Sequence, residues 1–268
     1  MSAYLASFYN ILINGEDELR RIDLLAGLVI LISPIVHLIV VSGIDVPYGR
    51  YTSSSWGMPV NGKLAWFLQE LPAFMIPAFM YINTDTTDLS LPATILIFAF
   101  LIHYFNRVFI YSFSIKGGKP TPWSILLMAL CFCICNGYMQ GTFLIRYSQY
   151  KPEWLLEWNF VIGMLVFAFG FYTNMRCDSI LRNLRPPGFK GYKIPHGWMF
   201  EYVAAANLWG EAVEWTGWAL ACWSLQAFAF ATFAVLYLSA RSYSHHLWYL
   251  KKFEDYPKDR KIFIPFLI

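Results

Sequence analysis

The chain has 268 residues, of which 57% are hydrophobic, 19% are aromatic and only 14% are charged. Ordinary soluble domains carry roughly 25% charged residues, so this composition argues against a soluble fold and indicates an integral membrane protein. The formal net charge of +3 is mild and gives no support to nucleic-acid binding.

Seven apolar segments are long enough to cross a membrane, because a helix of about 20 residues spans a hydrocarbon core of about 30 Å. They are residues 22–43, 64–82, 91–112, 122–147, 155–175, 199–217 and 218–240. The sixth segment carries Glu201, Glu211 and Glu214, and the sequence does not define its boundary with the seventh. We predict an all-α polytopic membrane protein that forms a single domain over residues 1–268.

Lysine and arginine fall mainly on one side of these spans, and positive loops stay on the cytoplasmic side of a membrane. That side collects Arg50, Lys63, Lys116, Lys119, Arg176, Arg182, Arg185, Lys190, Lys193 and the basic tail 241–268. The opposite side has Arg20, Arg21, Arg146 and Lys151. This asymmetry predicts an N-terminus outside and a C-terminus in the cytoplasm.

The N-terminal segment 1–21 lacks a basic region ahead of its first apolar residues, so a cleaved signal peptide is not expected. Within that segment we expect residues 3–13 to form a short interfacial helix. The sequence gives no sign of an obligate protein partner.

The cysteines do not predict a metal site. Cys131, Cys133 and Cys135 have an i, i+2, i+4 spacing, which on a helix turns the middle thiol away from the other two. We interpret them as small side chains at helix contacts and expect no metal.

Polar side chains at membrane depth are the main functional signal, because an ionisable residue at a helix centre costs about 2.5–3.5 kcal/mol on insertion scales. Two helical stripes contain such residues: Asn207, Glu211 and Trp215 with Glu214, and Asn174, Asp178, Arg182 and Arg185. The two arginines are also what topology requires at a cytoplasmic helix end. Asn174 and Asp178 are not explained in that way.

A third polar group comes from "HYFNRVFIYS", in which Tyr104, Arg107 and Tyr111 share one helix face. A buried arginine between two phenols favours an anionic or carbonyl-bearing ligand. The alternative is a purely structural arginine–glutamate pair between helices.

These groups together favour a dinucleotide, because cations suit phosphates while asparagine and aspartate suit amide and ribose hydroxyl groups. The sequence has no G-x-G-x-x-G after a strand and no strand–helix alternation, so a Rossmann domain is not expected. A nicotinamide cofactor would therefore lie between transmembrane helices and enter from the cytoplasm.

Eight segments closely resemble the steroid 5α-reductases, the 3-oxo-5α-steroid 4-dehydrogenases. They are "AWFLQELPAF", "HYFNRVFIYSF", "GGKPTP", "CNGYMQG", "DSILRNLRPPG", "GYKIP", "FEYVAAANLWGEAVEWTGWALA" and "HHLWYLKKFEDYPKDRKIFIPF". The resemblance runs in order from about residue 64 to the C-terminus. The first 60 residues match poorly, and Trp198 stands where the family usually has glycine.

The resemblance implies an NADPH-dependent, seven-helix membrane reductase acting on the 4,5 double bond of a 3-oxo-4-ene steroid. By motif position it implies that Glu70 and Tyr104 grip the C3 carbonyl, with Gln69 beside them and Trp66 in the steroid wall. It implies cofactor contacts from Arg107, Tyr111, Lys119, Asn136, Asn174, Asp178, Arg185, Tyr192, Asn207, Glu211, His245, Tyr249 and Arg260.

The chemistry explains why a carboxyl group and a phenol are needed inside an apolar protein. Hydride arriving at the β-carbon of an enone pushes electrons onto the carbonyl oxygen, where donors must stabilise the developing enolate. Tyr104 can donate its hydroxyl proton, and Glu70 can donate when it is protonated.

Other readings of the same residues belong to different classes. A polyprenol or enoyl-thioester reductase would apply the same electronics to a different lipid, and the related isoprenylcysteine methyltransferases bind a nucleotide-like cofactor. Buried Glu, Asp and Arg also occur in proton-coupled transporters, although the inverted repeats of transporters are not found. The expected location is the endoplasmic reticulum membrane in a eukaryote and the inner membrane in a bacterium.

Overall fold

The computed structural model of the chain describes residues 17–44, 46–85, 89–186, 188–189 and 191–267. The predicted interfacial helix 3–13 and Lys190 lie outside the described residues. The described ranges contain seven long helices. They are α1 (Glu18–Val41), α2 (Gly62–Ile82), α3 (Leu91–Phe105), α4 (Trp123–Thr142), α5 (Trp158–Asn183), α6 (Ala206–Cys222) and α7 (Leu225–Lys252).

Two of these helices change their winding before they end. Helix α3 continues through a π-helical segment, Asn106–Tyr111, and a last α-helical turn, Ser112–Ser114. Helix α4 continues through a second π-helical segment, Phe143–Tyr147. A π-helical turn inserts one extra residue into the helix and is frequent at functional sites.

Short elements occupy the connections. They are the 3₁₀ turns Gly49–Tyr51, Ser54–Trp56, Pro152–Leu156 and Trp198–Glu201, and the strands β1 (Pro59–Val60) and β2 (Thr121–Pro122). The strands pair antiparallel, with Pro59 opposite Pro122 and Val60 opposite Thr121. This pairing ties the segment after α1 to the segment before α4, and it brings the Lys119 carbonyl next to Gly62 at the start of α2.

The prediction of a mostly helical protein is confirmed. Five helices in the described ranges are long and apolar enough to cross a membrane: Glu18–Val41, Gly62–Ile82, Leu91–Ser114, Trp123–Tyr147 and Trp158–Asn183. They correspond to the first five predicted spans. Helices α6 and α7 lie where the last two spans were expected but are not among these five, so the count of seven and the orientation stay predictions.

The boundaries predicted for the last two spans were wrong. Helix α6 begins at Ala206 instead of residue 199, because Trp198–Glu201 forms a 3₁₀ turn. The break before α7 falls at Trp223, whose φ of 49° is left-handed, and at Ser224, whose side chain accepts a hydrogen bond from the Ala227 backbone. Helix α7 runs on to Lys252, so the predicted tail 241–268 begins as helix.

Local sequence explains where several helices begin. Asp17, Asn61, Ser90 and Ser224 each precede a helix and accept a hydrogen bond from a backbone N–H of its first turn. Such caps satisfy donors that have no partner within the helix.

Helices α5 and α6 form a closely packed antiparallel pair. A Cβ atom on Gly170 would lie 2.7 Å from the Gly210 carbonyl oxygen, and one on Gly210 would lie 2.7 Å from the Asn174 backbone nitrogen. Only glycine permits so close an approach. As a consequence, the polar stripes of α5 and α6 face each other across a short gap.

A cluster of aromatic rings fills the centre of the helical bundle. Trp215 on α6 lies with ring centroids 4.5 Å from Phe230 on α7, and Trp218 lies 5.4 Å from Phe100 on α3. Phe100 is in turn 4.7 Å from Tyr104. This packing supports the helical face that carries Tyr104 and Arg107.

Trp198 lies at a position that suits glycine, since its φ is 51°. Its indole N–H donates to the Thr173 hydroxyl over 3.3 Å, and its ring meets the edge of Tyr172 at 5.6 Å. These contacts hold the left-handed residue against α5, beside the start of the Trp198–Glu201 turn.

Candidate active site

A cavity of about 500 Å³ opens between α2, α3, α6, α7 and the segment that follows α1. Nine of the predicted site residues line it: Trp66, Arg107, Tyr111, Lys119, Arg185, Tyr192, Asn207, Glu211 and His245. A second cavity, of about 570 Å³, shares Tyr111, Gly118 and Arg185 with the first and also reaches Asp178 and Arg182. The two cavities therefore adjoin.

Arg107 lies at the inner wall of the first cavity, on the π-helical part of α3. Its guanidinium donates to a carboxylate oxygen of Asp178 over 3.1 Å, and both side chains are buried. The same guanidinium lies 4.1 Å from the ring centroid of Tyr111 and 5.0 Å from that of Trp66. Arginine is held against aromatic faces by charge–quadrupole attraction, so Arg107 is fixed in direction as well as in position.

Each stripe lies on one helix face as its spacing predicted, and the structure brings the stripes of α5 and α6 into contact. The Asn207 amide donates to Asp178 over 3.0 Å, and the Asn174 amide donates to the Asn207 carbonyl over 3.0 Å and to Glu211 over 3.4 Å. Arg107 is therefore paired with an aspartate on α5, whereas the structural alternative from the sequence had been a glutamate. Asn207 and Glu211 face the cavity, and Asn174 supports them from behind.

Glu70, Gln69 and Tyr104 lie one helical turn deeper than the cavity wall. Trp66 and Glu70 are four residues apart on α2, and Arg107 and Tyr104 are three apart on α3, so each pair shares a helix face. The Gln69 amide donates to one Glu70 oxygen over 3.3 Å. None of these three residues lines either cavity.

Helix α4 connects Glu70 with Tyr104. The Cys133 thiol donates to the second Glu70 oxygen over 3.8 Å, and the Asn136 amide donates to the Tyr104 hydroxyl over 3.2 Å. Cys133 and Asn136 are one turn apart, so the carboxyl group and the phenol meet one face of α4. Cys133 is buried while Cys131 and Cys135 are exposed, which confirms the predicted alternation of the three thiols.

Four predicted cofactor residues lie outside the lining of both cavities: Asn136 and Asn174, described above, and Tyr249 and Arg260. The Tyr249 hydroxyl accepts a hydrogen bond over 3.2 Å from Arg50, which lines the cavity together with Tyr192. Arg260 is buried in the C-terminal segment, where it donates to the Pro195 carbonyl over 3.1 Å and lies 3.8 Å from Glu201. Burial raises the pKa of the neighbouring Tyr256 hydroxyl to about 12. Arg260 thus ties the C-terminal segment to the loop before α6.

Sequence reasoning missed Arg50 and Arg241 as site residues and used them only for orientation. Arg50 lies over the rings of Trp248 and Tyr249, at 4.4 and 4.9 Å from their centroids, and Arg241 lies 4.6 Å from the ring centroid of Tyr48. Both arginines line the cavity. The available signal was the stretch "PYGRY", in which a cation stands between tyrosines.

A buried pair behind Tyr104 was also missed. His103 Nδ1 and a Glu214 oxygen are 2.7 Å apart, and both side chains are almost fully buried. Glu214 had been grouped with the stripe of Asn207 and Glu211. It lies about 10 Å beyond Asn207 and about 4.5 Å beyond Glu211 along α6, at 1.5 Å of rise per residue, where it faces α3 instead of the cavity.

The sequence belongs to a known group of proteins. It matches the family model described as 3-oxo-5-alpha-steroid 4-dehydrogenase over residues 119–268, which is more than half of the chain. It is 48% identical over 221 residues to the 3-oxo-5-alpha-steroid 4-dehydrogenase 1 of Homo sapiens, covering 82% of this chain and 85% of that relative. It is 43% identical over 222 residues to the 3-oxo-5-alpha-steroid 4-dehydrogenase 2 of Homo sapiens, covering 82% of this chain and 87% of that relative.

The match also reaches into the first 60 residues. The 3-oxo-5-alpha-steroid 4-dehydrogenase 1 of Rattus norvegicus is 44% identical over 253 residues, covering 94% of this chain and 97% of that relative. An alignment of that length includes part of the segment in which the resemblance had been judged poor. The predicted resemblance is thus confirmed, and the chain belongs to the 3-oxo-5-alpha-steroid 4-dehydrogenase family of oxidoreductases.

Proposed function

We propose that the protein uses NADPH to reduce the 4,5 double bond of 3-oxo-4-ene steroids to 5α-reduced 3-oxosteroids, within a membrane. The names of its relatives describe this substrate class. The five apolar helices are consistent with a lipid-soluble substrate that enters from the bilayer. For a eukaryotic source we propose the endoplasmic reticulum membrane as the location.

The side chains around the two cavities fit a dinucleotide phosphate. Lys119 and Arg185 are exposed cations that line the first cavity, and we call this solvent-facing part its outer end. Arg50 Nη1 is buried without a hydrogen-bond partner in the described part of the chain. Phosphate oxygens would supply acceptors for such donors. The deeper Asn207 and Glu211 suit neutral amide and hydroxyl groups, which supports a nicotinamide and ribose at that end. Bound there, the reduced nicotinamide would supply the hydride.

The proposed role of Tyr104 and Glu70 is to polarise the steroid carbonyl. As hydride reaches C5, electrons move through C4 to the C3 oxygen, and C4 later takes up a proton to complete the saturated ketone. A hydroxyl donor aimed at the C3 oxygen stabilises that charge more than it stabilises the ground-state ketone. Gln69 holds Glu70 from one side, and Cys133 from the other.

The observation that carries this proposal is the continuity of the two helix faces. On α2 the face runs from Trp66 at the cavity wall to Glu70, and on α3 it runs from Arg107 to Tyr104. A ligand that fills the cavity up to Arg107 would therefore end within one helical turn, about 5 Å, of both carbonyl-binding groups. That separation suits two reactants that must touch.

Product analysis with an isotopic label tests the proposal. The purified full chain would be supplied with NADPH carrying deuterium at the transferable position and with a 3-oxo-4-ene steroid. We expect a 5α-reduced ketone with one deuterium at C5, formed in proportion to NADPH consumed. A matched 3-hydroxy-5-ene steroid has no enone and should give no turnover.

Three results would count against the proposal. Steroid-independent consumption of NADPH would show that the steroid is not the electron acceptor. Faster reduction of a polyprenol enone than of any steroid would move the substrate to another lipid class, while leaving the oxidoreductase chemistry in place. NADPH fluorescence that does not change on mixing would favour the transporter or methyltransferase readings.

A further inference from the structure

A line of buried amides leads away from Tyr104 through the centre of the protein. The Asn136 amide donates to the Tyr104 hydroxyl over 3.2 Å, and the Gln140 amide donates to the Asn136 side-chain oxygen over 3.1 Å. The same Gln140 nitrogen donates to the backbone carbonyl of Gln226 over 2.9 Å. Asn136, Gln140 and Gln226 are each at most 2% exposed.

The backbone carbonyl fixes the direction of every hydrogen bond in this line. A carbonyl oxygen can only accept, so Gln140 must turn its NH₂ group towards Gln226. That nitrogen has donors only, so the Asn136 atom beside it must be the oxygen. The Asn136 NH₂ group then faces Tyr104, because the reverse orientation would place two NH₂ groups against each other.

The Tyr104 hydroxyl oxygen is therefore an acceptor from the protein. A phenol that accepts one hydrogen bond still carries its own proton to donate. Within the described residues, that proton is not donated to a protein acceptor. It remains available for a group that enters from the cavity side.

The line is anchored at its far end. Gln226 lies in the first turn of α7, and its side-chain amide donates to Asp23 on α1 over 2.5 Å. Four helices, α1, α3, α4 and α7, thus share one chain of polar contacts. Buried amides are costly unless they are paired, and a fully connected network has a single low-energy arrangement.

We propose that Gln140 is a positioning residue, which acts through Asn136 to keep the Tyr104 hydroxyl proton directed at the substrate carbonyl. This inference rests on the proposed function, because it assigns that proton to the ketone. It gives Asn136 a role at the phenol, whereas the family resemblance implied a contact with the cofactor. Nothing in the sequence pattern had singled out Gln140.

Replacement of Gln140 by methionine tests the inference, since methionine has a similar length and no amide. We expect kcat to fall about five- to tenfold, the size of one neutral hydrogen bond. The steroid KM and the NADPH dissociation constant should change less than twofold. Gln140→Leu serves as a second variant if the methionine variant does not fold.

The matched control is Thr142→Val. Thr142 is fully buried on the same helix, and its hydroxyl contacts Met80 instead of Asn136. This variant also removes a buried polar group from α4, and we expect wild-type kcat. An equal loss of kcat in the control would mean that general disturbance of α4, and not the amide line, is responsible.

A double-mutant cycle gives the decisive readout, because a positioning residue has no effect once its target is gone. In a Tyr104→Phe background, Gln140→Met should lower kcat no further. Multiplicative losses in the double variant would overturn the inference. Wild-type turnover of Tyr104→Phe alone would instead overturn the proposed role of Tyr104, so the two failures are distinguishable.

Discussion

The outer and inner ends of the proposed site are built from different kinds of polar group. At the outer end, Lys119 and Arg185 are exposed cations that line the cavity. At the inner end, Tyr104 is held by neutral amides on α4 in almost complete burial. The outer end presents exposed cations, and the inner end holds the Tyr104 phenol in a fixed direction with buried amides.

This difference separates binding from chemistry. Cations at a solvent-facing rim attract an anionic ligand equally before and during a reaction, so they contribute uniform binding. Donors buried in a water-poor site act on charge that develops only in the transition state. Changes at the outer end should therefore appear mainly in KM, and changes at the inner end mainly in kcat.

The largest expected effect comes from removing the inner donors. Tyr104→Phe should lower kcat by about 10²–10³, the usual loss when one donor to a developing oxyanion is removed. Glu70→Gln keeps the shape and one donor while removing the acid proton. Partial activity in Glu70→Gln would mean that Glu70 only donates a hydrogen bond, whereas complete loss would mean that its proton is transferred.

Both inner variants should retain near-normal NADPH affinity, measured by fluorescence titration. Cys131→Ala is a suitable control, because Cys131 is exposed on the helix that carries Cys133 but points the other way. If either inner variant lost cofactor affinity as strongly as turnover, the assignment of chemistry to the inner end and cofactor binding to the outer end would be wrong. Wild-type turnover in both would leave Glu70 and Tyr104 as structural residues.

The outer end should respond in the opposite way. Arg185→Ala or Lys119→Ala should raise the NADPH KM about tenfold or more, since hydrogen bonds to charged groups contribute about 1.5–3 kcal/mol. The steroid-saturated kcat should fall less than the KM rises. The preference for NADPH over NADH should shrink in the variant whose cation meets the additional phosphate.

Arg176→Ala is the matched control for the outer end, because Arg176 is an exposed cation on α5 that lies outside the lining of both cavities. It should leave the NADPH KM unchanged. Equal use of NADH and NADPH by the unaltered protein would contradict the assignment of the cations to a phosphate.

Sequence spacing predicted which polar residues share a helix face, because residues four apart on a helix lie on the same side. On that ground Asn174 and Asp178 were expected to form one stripe and Asn207 and Glu211 another, and the glycine contacts of α5 and α6 bring the two stripes together. The position of Glu214 was not predictable in the same way. Glu214 lies near the same face of α6 as Asn207, as the spacing predicted. At its depth along α6, however, that face meets His103 on α3 instead of the cavity.

Arg50 could not be assigned from the sequence for a different reason. It lies in a segment of short turns, so no period relates it to the rings of Trp248 and Tyr249, which come from a helix almost two hundred residues later. The end of α6 at Trp223 was hidden by the continuous apolar run around it. Irregular backbone and distant partners are set by tertiary packing, which leaves no local pattern.

Forcing α5 and α6 apart should destabilise the fold, because these two helices pack closely and carry polar residues of the proposed site. In Gly170→Ala the new Cβ would meet the backbone of Gly210 and Glu214. Overpacking of this kind typically costs about 1–3 kcal/mol, and it should lower the thermal unfolding temperature in detergent. Because the stripes carry Asp178 and Asn207, NADPH affinity should fall as well.

Gly27→Ala is the control for the scaffold. A Cβ on Gly27 meets no atom within 4 Å, and alanine in a helix interior is favoured over glycine by about 0.5–1 kcal/mol. This variant should be as stable as the parent or slightly more so. An unchanged unfolding temperature in Gly170→Ala would mean that the two helices can separate without cost.

The smallest expected effect concerns the charge of Glu201 at the surface. Its dependence on pH distinguishes this charged contact from the uncharged amides Asn136 and Gln140. The backbone N–H of Gly197 holds the pKa of the Glu201 carboxyl below its ordinary value of 4.5, with further lowering from His196 and Arg260. A carboxyl whose pKa is lowered by folding stabilises the fold above the unfolded pKa, and this contribution is lost as pH falls through the folded pKa. The unfolding temperature of Glu201→Gln should therefore lie slightly below that of the parent at neutral pH, and the two should converge as the pH drops below about 4.5. Glu201 is half exposed, so the gap should be small and should narrow in high salt.

Gln140→Met changes an uncharged group, and its difference from the parent in unfolding temperature should not vary over the same pH range. A constant gap for Glu201→Gln across that range would show that the Gly197 and Arg260 contacts do not depend on the charge of Glu201.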